Sequence, residues 1–444
     1  MTRAPVTNAF LDAMQYEADP PADAAVARLL APWSAAPGDN EPQWQRLALV
    51  NRAFETWSDN ASVQGWHGAP GMPAPLAAAL QDYLAEACRL PDWADPAKIA
   101  RAEALFMDQG VLSCLLLFCA SLPQCYVVPD LAEVLHTTGR LEQRTEHRIR
   151  STAAMIFPIM MEGGLTSPEG GGVAQVVKVR LIHAMVRHLI LRGSPQAAVH
   201  ALGGRRKVAG LGVVEPLLQL HDVQNMHQAL FAHGWDTGAD GLPCNQEELA
   251  YTLLTFGYVP LRGMRTLGVG LPRADEEAML HAWNVMGHLV GIRPELICAT
   301  MDEAAALFER LQARARAEPM TPDPRPGLAD ALMRTMESLI PWRLFKPFPV
   351  LLTRWLCGRA ASRDLGLDGR VGFFSKAVFL VCVLLVRGID ALLGLVSPRL
   401  TLARLITRIV GRRFLEQLLM DQTRPLRLPQ HLLGRVQGMM AAWG

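Results

Sequence analysis

Signatures of several large enzyme classes are missing from this sequence. It holds no Gly-x-Ser-x-Gly turn, no Gly-x-x-x-x-Gly-Lys-Ser/Thr loop and no His-Glu-x-x-His helix, which sets aside hydrolase, P-loop nucleotide and zinc-protease chemistry. Its 8 cysteines (Cys88, Cys114, Cys119, Cys125, Cys244, Cys298, Cys357 and Cys382) include no Cys-x-x-Cys pair. Several lie in apolar runs where a thiol packs as a small hydrophobe, so they read as reduced core residues. Residues 1–21 carry Asp12, Glu17 and Asp19 and no unbroken apolar stretch, so no secretory signal is expected and the reading is a cytoplasmic protein. A membrane-spanning helix needs about 20 apolar residues. The strongest run, Ala377–Val386, is closed by Lys376 and Arg387 and reads instead as a buried or interfacial helix. Strand alternation is scarce, and no internal repeat or low-complexity tract stands out.

What is present is a large apolar helical chain. With 444 residues, 50% of them hydrophobic, it can bury a substantial core. Charge is unevenly spread. From Arg343 onward there are 16 Lys or Arg against 5 Asp or Glu, a balance of +11, leaving 27 basic and 37 acidic residues, a balance of −10, for the rest. A basic, very apolar C-terminal region therefore follows an acidic body, and no nucleic-acid partner is expected.

Apolar residues recur at i, i+3 and i+4 over Pro75–Leu90, Lys98–Phe118, Pro129–Leu135, Glu142–Met161, Val173–Leu191, Gln246–Phe256, Asp275–Val290 and Asp302–Ala317, which predicts an all-α fold. Glycines at 163–172 and the Gly238 to Pro243 stretch punctuate it. Ser194 to Trp235 reads as an insertion with a short helix near Val213–Ala232. The proline-rich run from Glu318 to Pro326 must run extended. The expected organisation is a helical domain over 1–317 with its core at about 100–292, a connector at 318–330, and a basic helical region at 331–444. Within the last, Arg404, Arg408 and Arg412 recur every four residues among Leu405, Ile406, Ile409 and Val410. That pattern gives two readings: peripheral contact with an anionic membrane, or packing on the body with the charges in water.

The informative stretch runs from Lys178 to His188. At ~100° per residue, Arg180 falls about 60° and Arg187 about 40° from His183, so the three share a face. Two guanidiniums beside a neutral imidazole suit a bare cation poorly. They suit a haem, with His183 on the iron and Arg180 and Arg187 on the anionic propionates. Left unpaired and buried, each arginine would cost several kcal/mol, so both must face water or an anion. His188 is turned about 140° from His183 and cannot share its metal. One helix earlier, Arg148 and Thr152 stand at i, i+4 with Ser151 between them, either an exposed polar turn or donors facing a cofactor.

The runs Ser121-Leu-Pro-Gln-Cys-Tyr126, Val134-Leu-His-Thr-Thr-Gly139, Arg148-x-x-x-Thr152 and Val179-Arg-Leu-Ile-His-Ala-Met-Val-Arg187, continued by Pro243-Cys-Asn-Gln246, Thr252, Phe256, Leu267-Gly268 and Trp283-x-x-x-Gly287-x-x-x-Gly291, resemble the haem oxygenases of the latex-clearing protein and MpaB type. The resemblance spans about Phe106 to Ile292. It implies a globin-like multi-helix haem-binding bundle with His183 as proximal ligand of haem b. It also implies Arg148 and Thr152 on the distal side, Thr252 near the pocket, and dioxygen as co-substrate. Where latex-clearing protein carries a lysine able to coordinate the iron, this chain has Ser151, which cannot replace an amine ligand. Glu133 is the nearest acidic residue to serve as a base.

The implied reaction is cleavage or oxidation of a C=C bond in a hydrophobic small molecule, an isoprenoid or lipid-like substrate. The expected lack of a secretion signal argues against extracellular rubber. Two other classes stay open: a haem-binding sensor or carrier without turnover, and a cofactor-free helical scaffold on a membrane surface.

Overall fold

In the computed structural model, residues 6–34, 41–129, 131–132, 145–192, 235, 237–317 and 323–396 are described, and among them there is no strand. The helices are α1 (Asn8–Met14), α2 (Pro20–Leu30), α3 (Glu41–Glu55), α4 (Asn60–Gln64), α5 (Ala74–Ala87), α6 (Pro96–Asp108) and α7 (Gly110–Leu116). A π-helical turn, Leu117–Ser121, leads into α8 (Leu122–Cys125), followed by α9 (Thr145–Met160), α10 (Gly172–Leu191), α11 (Thr237–Asp240), α12 (Gln246–Leu267) and α13 (Arg273–Leu289). After a short 3-10 turn come α14 (Met301–Ala317), α15 (Arg325–Ser338), α16 (Phe348–Asp364) and α17 (Phe373–Val396). The fold is all-α. The insertion at 194–234, Glu133 and the Arg404–Arg412 repeat lie outside the described residues.

Local chemistry sets the helix ends. The Asp95 carboxylate accepts from the amides of Ala97 and Lys98 at 2.9 and 3.3 Å, with Pro96 at the first helical position of α6, where its missing N–H is harmless. Asn245 caps α12 through Glu248 N at 3.0 Å. That helix ends on Gly268, whose φ of 80° is the left-handed stop that glycine supplies. Two boundaries differ from the periodicity. The stretch Lys98–Phe118 is broken at Gln109, where φ and ψ of −101° and 10° leave the helical region. Conversely, α12 continues past Phe256 through Pro260 to Leu267. Its buried wall carries it across the proline: Gly257 sits against Trp283 of α13, where a Cβ would stand 3.1 Å from the tryptophan side chain.

α10 is the helix around which the rest is arranged. It packs against α2, α4, α9 and α13, while α12 packs on α13, α14 and the π-helical turn. The turn between α9 and α10 is closed by Asn60 at the start of α4. Its Nδ2 donates to Gly164 O and Ser167 O at 2.9 and 2.8 Å, and its Oδ1 accepts from Val173 N at 2.9 Å. One hydrophobic core runs from Leu11 to Val371 and takes in Leu332, Met333, Met336 and Val350. The proline-rich stretch at 318–330 is thus no break in packing: α15 and α16 fold onto the same core, and Arg325 donates to Val127 O at 3.3 Å.

Candidate functional site

The side chains of α10 divide by direction. Arg180 and Arg187 point to α2, where Asp19 and Asp23 meet them. Arg180 makes a two-pronged pair with Asp19 through Nε and Nη2, at 2.5 and 2.7 Å. Arg187 places Nε and Nη2 on Asp23 Oδ1 at 2.9 and 2.8 Å, and its Nη1 on Cys244 O at 2.7 Å. Both guanidiniums are buried. The anion expected opposite them is therefore a protein carboxylate. The reading of Arg180 and Arg187 as propionate anchors gives way to one of buried structural ion pairs.

His188 also serves this cluster, with Nε2 3.2 Å from Asp23 Oδ1. Burial alone would raise the Asp23 carboxyl, but the hydrogen bond from His188 and the charge of Arg187 hold it below its ordinary value. Of these two carboxylates, only Asp19 entered the sequence reading, as a charge speaking against a secretory signal.

His183, about 40° round the helix from Arg187, takes no part in these pairs. Its Nδ1 is buried with no hydrogen-bond partner, and its pKa is pushed down to about 4, first by burial and then by the nearby charge of Arg187. The imidazole is consequently neutral at pH 7, the form that ligates a metal. Gln175, Lys178, Val179, Ile182 and His183 are the half-buried residues of this face, and they occupy one arc of about 140°. His183 stands at one edge, beside the ion-paired side. Lys178 stands at the other, its amine lowered to about 8 by burial.

α9 runs back alongside α10. At 1.5 Å per residue, Thr152 lies roughly 12 Å from the end of α9 at Met160, and His183 roughly 16 Å from the start of α10 at Gly172, so the two are at similar height. Thr152 and Met155 are half-buried, like the α10 arc. Arg148 and Ser151 fall in the helical backbone of α9, with side chains outside the described residues. Thr252 is a half-buried residue of α12, its carbonyl accepting from the Thr255 hydroxyl at 2.7 Å.

A small apolar cleft lies between α6, α7, the π-helical turn, α9, α12 and α13, with no residue of α10 in its lining. Its lining includes Phe106, Leu117, Ile156, Phe256, Met264 and Trp283. Thr152 and Thr252 each stand one turn before a lining residue of their own helix, Ile156 and Phe256, so both hydroxyls flank an apolar space that sequence spacing did not reveal.

A haem fits these residues on one structural point: a neutral imidazole on the half-buried face of α10 has a buried nitrogen, Nδ1, with no hydrogen-bond partner. No group of three or more His, Cys, Asp or Glu able to hold a bare ion occurs among the described residues. A single-histidine site suits a macrocycle that brings its own four nitrogens.

Comparison with known proteins agrees with the motif resemblance. The family model for the catalytic domain of ER-bound oxygenase mpaB/B' and rubber oxygenase matches residues 217–387. That match begins downstream of His183. A rubber oxygenase from Streptomyces sp. (strain K30) is 26% identical over 299 residues, covering 64% of this chain and 63% of that protein. The chain thus matches a little under two thirds of that relative's length. The structure of latex clearing protein in the closed state superposes with a TM-score of 0.60 at 19% identity, covering 97% of this chain and 90% of that one. The fold is that of latex clearing protein, and the chain is similar to the latex-clearing and MpaB-type oxygenases.

Proposed function

We propose that this chain, similar to the rubber and MpaB-type oxygenases, is itself a haem b-dependent oxygenase that uses dioxygen to cleave or oxidise a C=C bond in a hydrophobic, isoprenoid or lipid-like substrate. The observation that carries the reading is His183, held neutral and unpartnered at the edge of the open arc of α10. Activation of dioxygen is the chemistry haem supplies when bound.

The chain's own residues do the rest. His183 offers one imidazole as axial ligand. The Asp19–Arg180 and Asp23–Arg187 pairs fix the helix that carries it, and burial, aided by the charge of Arg187, keeps the ring deprotonated. Because both arginines are engaged, Lys178 is the cation of α10 left to meet a propionate. Thr152, one turn from the cleft, would provide a hydroxyl donor to the carbonyl oxygen of product, with Arg148 on the same helix. Ser151, on the same helix, carries no amine that could ligate a metal. The apolar cleft aligns an unsaturated chain and excludes water, as a low-dielectric pocket must for an uncharged substrate.

The test is oxygen uptake by the reduced, haem-loaded protein with a short polyisoprenoid, with carbonyl products followed by mass spectrometry. Stoichiometric uptake and two carbonyl fragments are expected. Haem binding with no uptake across isoprenoid and unsaturated lipid substrates would contradict the enzyme and leave a haem carrier or sensor.

A further inference from the structure

α17 is the least covered helix of the described molecule. One side packs on α16, with Phe379 5.2 Å from Phe348 and 6.2 Å from Trp355 between ring centres. Arg387 lies over the Trp355 ring at 5.4 Å and donates to Thr266 O at 2.6 Å. The other side is bare: Phe373 is 86% exposed, Phe374 70%, Leu392 67%, Leu384 and Leu385 60% each and Leu380 57%. These residues sweep an arc of roughly 140°. Trp342 and Leu344, 59% and 49% exposed, extend the surface through a chain of ring contacts from Trp342 to Phe345 to Phe348. The exposed apolar area is on the order of 900 Å², beyond the ~300–600 Å² of the largest patch on a typical monomer.

The border of this face is basic. Arg343, Lys346, Lys376 and Arg387 are exposed around it, while Asp390, the one acidic residue of α17, is half-buried. That charge selects among occupants. A second copy packed through the same face would set these cations against their own copies. The chain's residues 397–444 hold 8 Arg against 2 acidic residues and carry the same sign as the border. An anionic lipid surface is complementary to both features, taking the apolar side chains into its acyl boundary and the cations at its headgroups. One side of α17 is packed on α16, so only its bare side is free to enter lipid and the helix lies in plane. We propose that α17, with Trp342 and Leu344, seats the protein on the surface of a bilayer containing anionic lipid.

The test uses the full chain and reads no activity, so it stands or falls apart from the oxygenase reading. Sedimentation with phosphatidylcholine vesicles containing about 30% phosphatidylglycerol should pellet the protein. Binding should drop about tenfold on pure phosphatidylcholine or in ~0.5 M salt. The double variant Leu380→Glu/Leu384→Glu alters only exposed positions and should keep the wild-type melting curve while losing binding by tenfold or more. Lys346→Glu/Lys376→Glu should reduce anionic-vesicle binding to the pure phosphatidylcholine level. Wild-type protein that stays in the supernatant overturns the proposal, as does wild-type binding by the Leu380/Leu384 variant. So does a dimer, seen by analytical ultracentrifugation, that this variant dissolves without any vesicle binding in the parent.

Discussion

His183 owes its character to neighbours that the linear sequence hides. The helical register of Arg180, His183 and Arg187 was readable, and so was the need of two buried guanidiniums for an anion. What supplies that anion was not, because Asp19 and Asp23 lie about 160 residues away in a segment whose charges spoke only against a signal peptide. The consequence concerns protonation. With a folded pKa of about 4 against an ordinary 6.5, His183 binds its proton in the unfolded chain first as pH falls. Its contribution to stability is complete above pH 6.5 and is lost on going down to about pH 4. The loss is on the order of 2–3 kcal/mol. Burial is the larger cause and Arg187 the smaller, so Arg187→Gln should raise the His183 pKa measurably without restoring 6.5. Imidazole resonances followed by NMR titration check this. An unchanged pKa in that variant would contradict the charge coupling between the two residues.

At the scale of elements, the α9–α10 turn shows how much a motif can conceal. The glycine-rich stretch 163–172 reads correctly as a break between helices. Its purpose is contact: a Cβ at Gly170 would stand 2.1 Å from Gly163 O, and one at Gly164 2.3 Å from Pro158 O. These clashes come from backbone atoms that cannot yield, so any side chain would pry the two site-bearing helices apart. Asn60 locks the same turn from another helix. Replacing it with alanine leaves the buried Val173 amide without its partner, at about 1–3 kcal/mol, while Gly164 O and Ser167 O keep their bonds from Gly172 N and Gly170 N. Asn60→Ala should therefore destabilise the protein by about 1–3 kcal/mol in urea unfolding, with haem affinity falling in parallel. A change below about 0.5 kcal/mol, the level of an ordinary surface substitution, would show that the turn does not depend on this residue. Nothing in the sequence near 60 marks that role, because its partners are over 100 residues distant.

For the whole molecule, composition and periodicity gave the all-helical class, and the motif series gave the likeness to the latex-clearing and MpaB-type oxygenases. The division into body and C-terminal region was read from charge and prolines. Packing ignores that division as far as Val371, because Leu332, Met333, Met336 and Val350 of α15 and α16 join the same core. The apolar stretch Ala377–Val386 was readable as a buried or interfacial helix, and in α17 it packs one side on α16 and leaves the other exposed. The two halves of the site were unequally visible. His183 follows from one helix's register, whereas the cleft between Ile156 and Phe256 needs α9, α12 and α13 brought together from positions up to 127 residues apart, Ile156 to Trp283.

The central claim is that His183 is the axial ligand of a bound haem. It is tested most directly by the visible spectrum of the full chain, wild-type against His183→Ala, each produced with haem supplied and each checked for an intact helical melting curve. A Soret band with about one haem per chain is expected in the wild type, and its loss in the folded variant. A folded His183→Ala protein with an undiminished Soret band, or a folded wild-type protein with none, would contradict that claim.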